Sequence, residues 1–355
     1  MQDNHQLYMH RCLELARMGA GSVAPNPMVG AVLVYENRII GEGYHRQYGG
    51  PHAEVNCIDT VQAEDLPLIP LSTLYVSLEP CAHFGKTPPC SDLIIRNKIP
   101  KVVVGCRDPF PEVDGKGIEK LRRAGVEVIC GVLEQACHDL NRRFFTFVTA
   151  RRPYIILKWA QTANGCIAGD GGDRLLISND YTNRLVHQWR SEEAAILVGT
   201  DTALQDDPSL TNRLWTGNSP VRMVIDRNLR LPVSLKLFNQ QQRTIVINTI
   251  KAEEEKNLSY HKIPAEADSI ESLLAIAVGE NLQSILVEGG TALLQSFIDK
   301  GLWDEARVIT NPLLTITKGL PSPVLKEYLP TQTEKIGTDT LSIYTKIQHP
   351  ASSNN

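Results

Sequence analysis

No apolar run in this 355-residue sequence approaches the ~18 residues that a membrane-spanning helix requires, so no membrane partner is expected. The polar start, Met1 to Gln6, lacks the basic-then-apolar layout of a signal peptide. Charge of one sign is also missing: the net charge of −4 gives no basic surface for nucleic acid. There is no internal repeat and no low-complexity tract. Eight cysteines in a chain this long, without a secretory signal, do not read as a disulfide framework. Most are expected to be small buried thiols in a reducing cytoplasm.

What is present is core material, with 42% hydrophobic and 21% charged residues, in a chain long enough for two domains. Met9, Cys12, Leu13 and Ala16 share one face of a helix expected over residues 5–18. Residues 31–35 and 39–45 read as a hairpin, and residues 73–78 and 101–105 as further buried strands. A helix over residues 52–61 is expected to turn Val55 and Ile58 inward. One long helix is expected over residues 133–148. Strands alternate with helices, which points to an α/β protein with largely parallel sheets covered on both faces. Arg151-Arg152-Pro153 is the expected joint, giving domains at residues 1–150 and 151–350, with a disordered tail after residue 351.

The chemistry concentrates between His52 and Cys90. His52 is followed two residues later by Glu54, and Cys81 and Cys90 flank a Pro-rich loop. One imidazole and two thiolates suit a zinc ion with an open fourth position, and the nearby carboxylate is placed to move protons rather than to bind metal. Taken singly, each residue is more often structural. A closed structural zinc site, with His83 or Cys57 as fourth ligand, is the intermediate reading, and Glu54 argues against it. Asn26, in Pro25-Asn26-Pro27, suits either a ring edge of a substrate or simple turn chemistry. In the second half, Glu288-Gly289-Gly290 joins a strand to a helix, where backbone N–H groups can meet phosphate. Arg190 and Arg213 suit a phosphate clamp or a solvated surface.

These motifs together resemble a known family. Ala24-Pro25-Asn26-Pro27-Met28-Val29-Gly30, His52-Ala53-Glu54 and the stretch Leu78-Glu79-Pro80-Cys81 through Gly85-Lys86-Thr87-Pro88-Pro89-Cys90 are similar to the bifunctional riboflavin-biosynthesis deaminase/reductases. So are the Val198–Arg213 stretch and Val287-Glu288-Gly289-Gly290 in the second half. The resemblance implies a cytidine-deaminase-like three-layer domain followed by a dihydrofolate-reductase-like α/β domain. It implies one zinc held by His52, Cys81 and Cys90, with Glu54 catalytic, and NADPH in the second domain. Carried over by position, Ala160, Leu176, Thr202, Asp206, Arg227 and the run Gly290, Thr291, Ala292, Leu293, Leu294, Gln295 and Ser296 fall on the cofactor side. Asn26, Lys158, Arg174, Arg190, Leu210, Arg213 and Glu288 fall on the substrate side. The implied substrate is 2,5-diamino-6-ribosylamino-4(3H)-pyrimidinone 5′-phosphate, deaminated and then reduced to the ribityl product by a cytoplasmic enzyme; a homo-oligomer is compatible with this.

The second half departs from the family pattern at Ala163-Asn164-Gly165, Leu176-Ile177-Ser178, Arg227 and Asn311-Pro312-Leu313-Leu314-Thr315. These departures motivate an alternative in which the chain deaminates only and the C-terminal domain binds or assembles. A structural zinc module that binds a partner is the non-enzymatic alternative.

Overall fold

The computed structural model describes residues 4–84, 88–110, 113–169 and 175–346. The chain divides into two compact units, Met1–Arg151 and Arg152–Asn355. Among the described residues no helix is long and apolar enough to cross a membrane.

In the first unit the elements run α1 (His5–Arg17), β1 (Gly30–Tyr35), β2 (Arg38–Tyr44), α2 (Ala53–Asp59), a 3-10 turn (Ala63–Leu71), β3 (Thr73–Leu78), α3 (Cys90–Arg96), β4 (Lys101–Cys106), α4 (Lys116–Arg123), β5 (Glu127–Cys130), α5 (Glu134–Leu140) and α6 (Arg142–Ala150). The sheet order is β2-β1-β3-β4-β5. It is mixed, because the hairpin makes β1 antiparallel to both of its neighbours, and only β3, β4 and β5 run parallel. Alternating strand residues divide between two apolar layers. Leu33, Leu74, Val102 and Val104 pack with Ala53, Cys57, Ile94 and Leu121 on one face. Val32, Val34, Tyr75 and Val103 pack with Met9, Cys12, Leu13, Cys137 and Phe145 on the other. This period-two division of a buried sheet gives three layers.

Two expectations need correction here. The face of α2 that enters the core carries Ala53 and Cys57, with half-buried Ile58 packed against the same cluster as expected, whereas Val55 is half-buried outside it. The small residues face inward because β2 presses on the helix: a β-carbon at Gly43 would stand 2.2 Å from the Cys57 amide nitrogen. The long helix after residue 133 is broken at Asn141, whose backbone (φ −103°, ψ 18°) leaves the helical region. Its side chain instead accepts from Met28 N–H at 2.8 Å and donates to the Met28 carbonyl at 2.9 Å, so a tertiary bracket to the 24–30 turn overrides helical propensity.

The second unit contains β6 (Tyr154–Thr162), β7 (Cys166–Gly169), α7 (Asp180–Glu192), β8 (Ala195–Gly199), α8 (Thr200–Asp206), β9 (Val221–Ile225), β10 (Thr244–Asn248), β11 (Glu253–Glu255), β12 (Leu258–Lys262), α9 (Ser269–Gly279), β13 (Ser284–Val287), α10 (Thr291–Asp299), β14 (Glu305–Asn311), β15 (Gly319–Pro321), β16 (Gln332–Ile336) and β17 (Asp339–Thr345). Ten strands form one sheet in the order β11-β12-β10-β9-β8-β13-β6-β14-β17-β16. From β12 to β14 every neighbouring pair is parallel; the edge pairings that involve β11, β17 and β16 are antiparallel. Helices α9 and α10 cover one face through Leu273, Ala277, Leu294 and Phe297. On the other face lie Ala203 of α8 and Val186 and Trp189 of α7. In such a sheet, ligands bind beyond the carboxyl ends of the parallel strands. The segments following β8, β9 and β13 converge there.

Candidate functional site

His52 caps α2 from an extended conformation (φ −72°, ψ 167°), so its ring projects from the helix start rather than along it. Cys90 is the first residue of α3 and Cys81 lies in the loop after β3. The Cys81 carbonyl accepts the Ser91 N–H at 3.1 Å, and the Cys90 N–H donates to Cys81 Sγ at 3.3 Å, so helix α3 grips the loop at two adjacent points. His52 Nδ1 stands 3.7 Å from Cys81 Sγ and 3.3 Å from Cys90 Sγ. The three ligand atoms lie within 4.8 Å of one another. Bonds of about 2.0 Å to nitrogen and 2.3 Å to sulfur set the N···S edges of a tetrahedral zinc site near ~3.5 Å, which these distances match. The donor set also fits zinc chemically. Among the described residues no fourth side chain joins the group, and Cys57 is buried in the core cluster instead, its thiol pushed up by burial. Among the described residues the group thus offers three side-chain ligands, the number that catalytic zinc centres use.

Glu54, only 3% exposed, lies within hydrogen-bonding reach of the Cys90 thiol. Burial raises its carboxyl above the ordinary range, against the pull of His52. Cys81 is held as thiolate, at about 4, first by the hydrogen bond from the Cys90 thiol and also by that with His52. Cys90 is pushed upward by the same contact and by burial. Binding zinc requires both to be thiolates, so metal uptake releases protons.

Two groups to which the sequence alone gave no role support this centre. His45 is buried, and its ring meets the His52 ring edge-on with centroids 5.5 Å apart. Its Nδ1 lies 2.9 Å from the Pro51 carbonyl, which can only accept, so Nδ1 carries the proton and Nε2 accepts from the Asn26 amide at 3.1 Å. Burial lowers the His45 pKa, in keeping with that neutral tautomer. Asn26 is thus oriented with its NH2 toward His45, which accounts for both its turn position and a fixed side chain. Glu79 is the second group. Its buried carboxylate accepts four backbone N–H groups: Gly117 at 3.0 Å, Ile118 at 3.2 Å, Gly115 at 3.0 Å and Asp108 at 3.4 Å. A β-carbon at Gly117 would stand 1.9 Å from the Pro80 carbonyl oxygen, so the start of α4 is pressed against the peptide that precedes Cys81. Glu79→Gln turns one acceptor into a donor facing N–H groups. It is expected to destabilise the first unit on the order of 2–3 kcal/mol and to hasten zinc loss to a chelator. An unchanged unfolding midpoint and an unchanged release rate would refute that role.

The second centre is built on a buried carboxylate. Glu288, following β13, accepts from Arg190 Nε and Nη2, both at 2.8 Å, and Lys158 Nζ on β6 lies 3.6 Å away. Burial alone would raise Glu288, but Arg190 and then Lys158 outweigh it and hold the carboxyl at about 2. The remaining Arg190 Nη1 donates to the Thr211 carbonyl at 3.3 Å. Three of the five Arg190 N–H donors are thereby used within the protein, and two remain for a ligand. Arg213 is exposed and makes a 3.2 Å hydrogen bond from Nη1 to Thr211 Oγ1. Leu210 is buried with a left-handed φ of 52°, which kinks the chain into the 211–213 segment.

The residues expected on the cofactor side are brought to the strand ends unevenly. Ala160 is half-buried on β6, and Thr202 on α8 accepts the Gly290 N–H at 2.9 Å. Asp206 ends α8 and is exposed. In the run that starts α10, Leu294 is fully buried in the core and Leu293 packs against Gly289. Ser296 donates to the Ala292 carbonyl, and Gln295 bonds Asp299 and the Val324 N–H. Side-chain contact with a cofactor is thus excluded for Leu294; a helix start offers backbone N–H groups at Thr291 and Ala292. Arg227, at the end of β9, spends its guanidinium on the Ala265 and Ala267 carbonyls and Ser269 Oγ. Leu176 is 74% exposed. Arg174, like Gly85, Lys86 and Thr87 of the first unit's loop, lies outside the described residues.

Two of the departures from the family pattern, at Asn164 and Asn311, have structural partners. Asn164 Oδ1 accepts from Thr162 Oγ1 and Ile316 N–H, and its amide donates to the Ile316 carbonyl at 2.7 Å. Asn311 donates to the Ile177 carbonyl at 2.8 Å and accepts the Leu313 N–H. They bracket the loops around the strand ends.

Two family models match the chain: the cytidine and deoxycytidylate deaminase zinc-binding region over residues 2–106 and the RibD C-terminal domain over residues 153–327. The riboflavin biosynthesis protein RibD of Aquifex aeolicus is 41% identical over 310 residues, 86% of either chain. RibD of Escherichia coli is 33% identical over 332 residues, covering 88% of this chain and 89% of that one. Among solved structures, a diaminohydroxyphosphoribosylaminopyrimidine deaminase/5-amino-6-(5-phosphoribosylamino)uracil reductase from Thermotoga maritima superposes with a TM-score of 0.88 at 37% identity, over 97% of this chain and 99% of that one. RibD of Acinetobacter baumannii superposes at 0.86 and 30% identity, over 97% and 99%.

Proposed function

The chain belongs to the RibD family of riboflavin-biosynthesis proteins, and on that premise we propose how its two centres share a bifunctional deaminase–reductase reaction. The observation that carries the reading is the triangle of His52 Nδ1 and the two sulfurs with buried Glu54 beside it.

In the first unit, His52, Cys81 and Cys90 would hold the zinc ion. Bound zinc supplies the Lewis acidity that makes water a nucleophile near neutral pH. The substrate is the diaminopyrimidine ribotide, whose ring amine is exchanged for oxygen with release of ammonia. Glu54 takes the proton from water, delivers it to the ring and returns a proton to the departing amine; its upward-shifted carboxyl suits that exchange. Asn26, fixed by His45, presents its amide to the ring edge.

In the second unit, NADPH supplies the hydride that reduces the ribosyl group at C1′ to ribityl. Backbone N–H groups at Thr291 and Ala292 would meet a phosphate of the cofactor at the start of α10, and Thr202 holds the turn by accepting from Gly290. Lys158 and Arg213 face the substrate and its phosphate. Arg190 and Glu288 form the rigid wall against which it aligns. The deaminase-only alternative is not favoured: the relatives align across both units, and Asn164 and Asn311, two of the departures that suggested it, are occupied in hydrogen bonds between loops.

Incubation of the ribotide with the zinc-loaded chain, analysed by mass, is expected to give the oxo product alone, and the ribityl product when NADPH is added. Chelation of zinc is expected to stop the first conversion but not NADPH oxidation on the deaminated intermediate. Intact deamination with no NADPH turnover on that intermediate would restore the deaminase-only alternative.

A further inference from the structure

Arg213 is an exposed side chain on an irregular segment, so its position depends on what fixes the backbone beneath it. That backbone is tied to α7. The Arg213 N–H donates to His187 Nδ1 at 2.9 Å, and one helical turn later Arg190 Nη1 reaches the Thr211 carbonyl. Residues three apart on a helix share a face, so α7 holds the backbone at Thr211 and at Arg213 with two adjacent side chains. The left-handed turn at Leu210, with its side chain buried, sets the entry to the same segment. On the far side Asn212 accepts the Trp215 N–H, and Ser219 Oγ accepts the Asn212 N–H, so the loop closes on itself and leaves His187 as the anchor at Arg213 itself.

His187 is 6% exposed, and besides the Arg213 N–H its ring meets the Asn212 side chain, contacts that a neutral imidazole can make. We propose that His187 is a positioning residue of the reductase centre: through Nδ1 it holds the Arg213 peptide and so fixes where the Arg213 guanidinium meets the substrate's phosphate. Burial, with Arg190 and Arg213 nearby, lowers the ring to about 4, so Nδ1 remains an acceptor at neutral pH. The inference rests on the assignment of Arg213 to the substrate side.

The test is steady-state NADPH oxidation on the deaminated ribotide by the full-length chain. Arg213→Ala is expected to raise KM for the ribotide ~10-fold or more while leaving KM for NADPH unchanged. His187→Leu, which cannot accept, is expected to raise the ribotide KM ~3- to 10-fold, again without moving KM for NADPH. His187→Asn, whose amide oxygen can take the place of Nδ1, is expected to fall within ~2-fold of the parent. Inorganic phosphate as a competitive inhibitor is expected to weaken in parallel. If Arg213→Ala raises KM and His187→Leu does not, the inference is overturned. It is equally overturned if His187→Asn folds normally and yet shows the leucine variant's KM. If Arg213→Ala has no effect, the substrate-side assignment itself fails.

Discussion

Glu54→Gln is expected to lower the rate of ammonia release by roughly 10²–10⁴-fold with zinc content unchanged. Glutamine has the same shape and keeps a carbonyl oxygen toward its surroundings, so the fold around α2 has no reason to move. What it loses is the ability to accept a proton and return it. The residue is 3% exposed, and no water-accessible carboxylate stands in for it within the ligand triangle among the described residues. His52, Cys81 and Cys90 are untouched, so metal analysis should still find zinc. The measurement is ammonia release by the purified variant alongside its metal content. A normal rate with zinc bound would remove Glu54 from the chemistry and return the centre to a structural zinc module. Loss of both zinc and rate would mean that the carboxylate helps to build the site.

Glu288→Gln is the second large effect. The carboxylate sits between Arg190 and Lys158 and is itself buried. Removing one partner of a buried pair leaves the others charged without a counterpart, and costs on the order of 3–5 kcal/mol. The second unit is expected to unfold at lower denaturant while the first keeps its midpoint. Reduction should be lost and deamination retained. The pH dependence follows from the depressed carboxyl. The stabilisation is fully present above the ordinary carboxylate range near ~4.3 and is lost as pH falls through about 2, where the folded group finally takes a proton. Acid unfolding of the variant should therefore lack this component. An unchanged midpoint for the second unit, or an acid limb identical to the parent's, would show that the pair contributes nothing net.

How far these sites could be read from the chain differs between them. His52, Glu54, Cys81 and Cys90 were legible because their chemistry is carried by local spacing within one strand–loop–helix stretch. Glu79 stood within the quoted motif without a role of its own, and His187 was not singled out. The partners of Glu79 lie at residues 108–118, and that of His187 at residue 213, and no periodicity reports a hydrogen bond across such a gap. Arg190 and Glu288 were singled out, but not that they bind each other. In the fold, the apolar runs marked the central strands. Strand β14 escaped because Glu305 and Arg307 interrupt its apolar pattern; both are buried, paired at 2.6 Å, with the Arg307 guanidinium over the Trp189 ring. The break at Asn141 and the small inward face of α2 are likewise decided by what packs against them, the 24–30 turn and β2.

The closed fork between Arg190 and Glu288 also bears on the entropy of binding. A free arginine side chain loses up to ~2 kcal/mol of rotamer freedom when it is immobilised on a ligand. Here that immobilisation takes place when the second unit folds, because both carboxylate oxygens and the Thr211 carbonyl already fix the guanidinium. A ribotide that arrives at this wall orders few of the long side chains around it, and its association is correspondingly less opposed than at a surface of mobile cations. The cost appears instead as a demand on the fold: the second unit must first bury a carboxylate and its cationic partners to have a reductase centre at all.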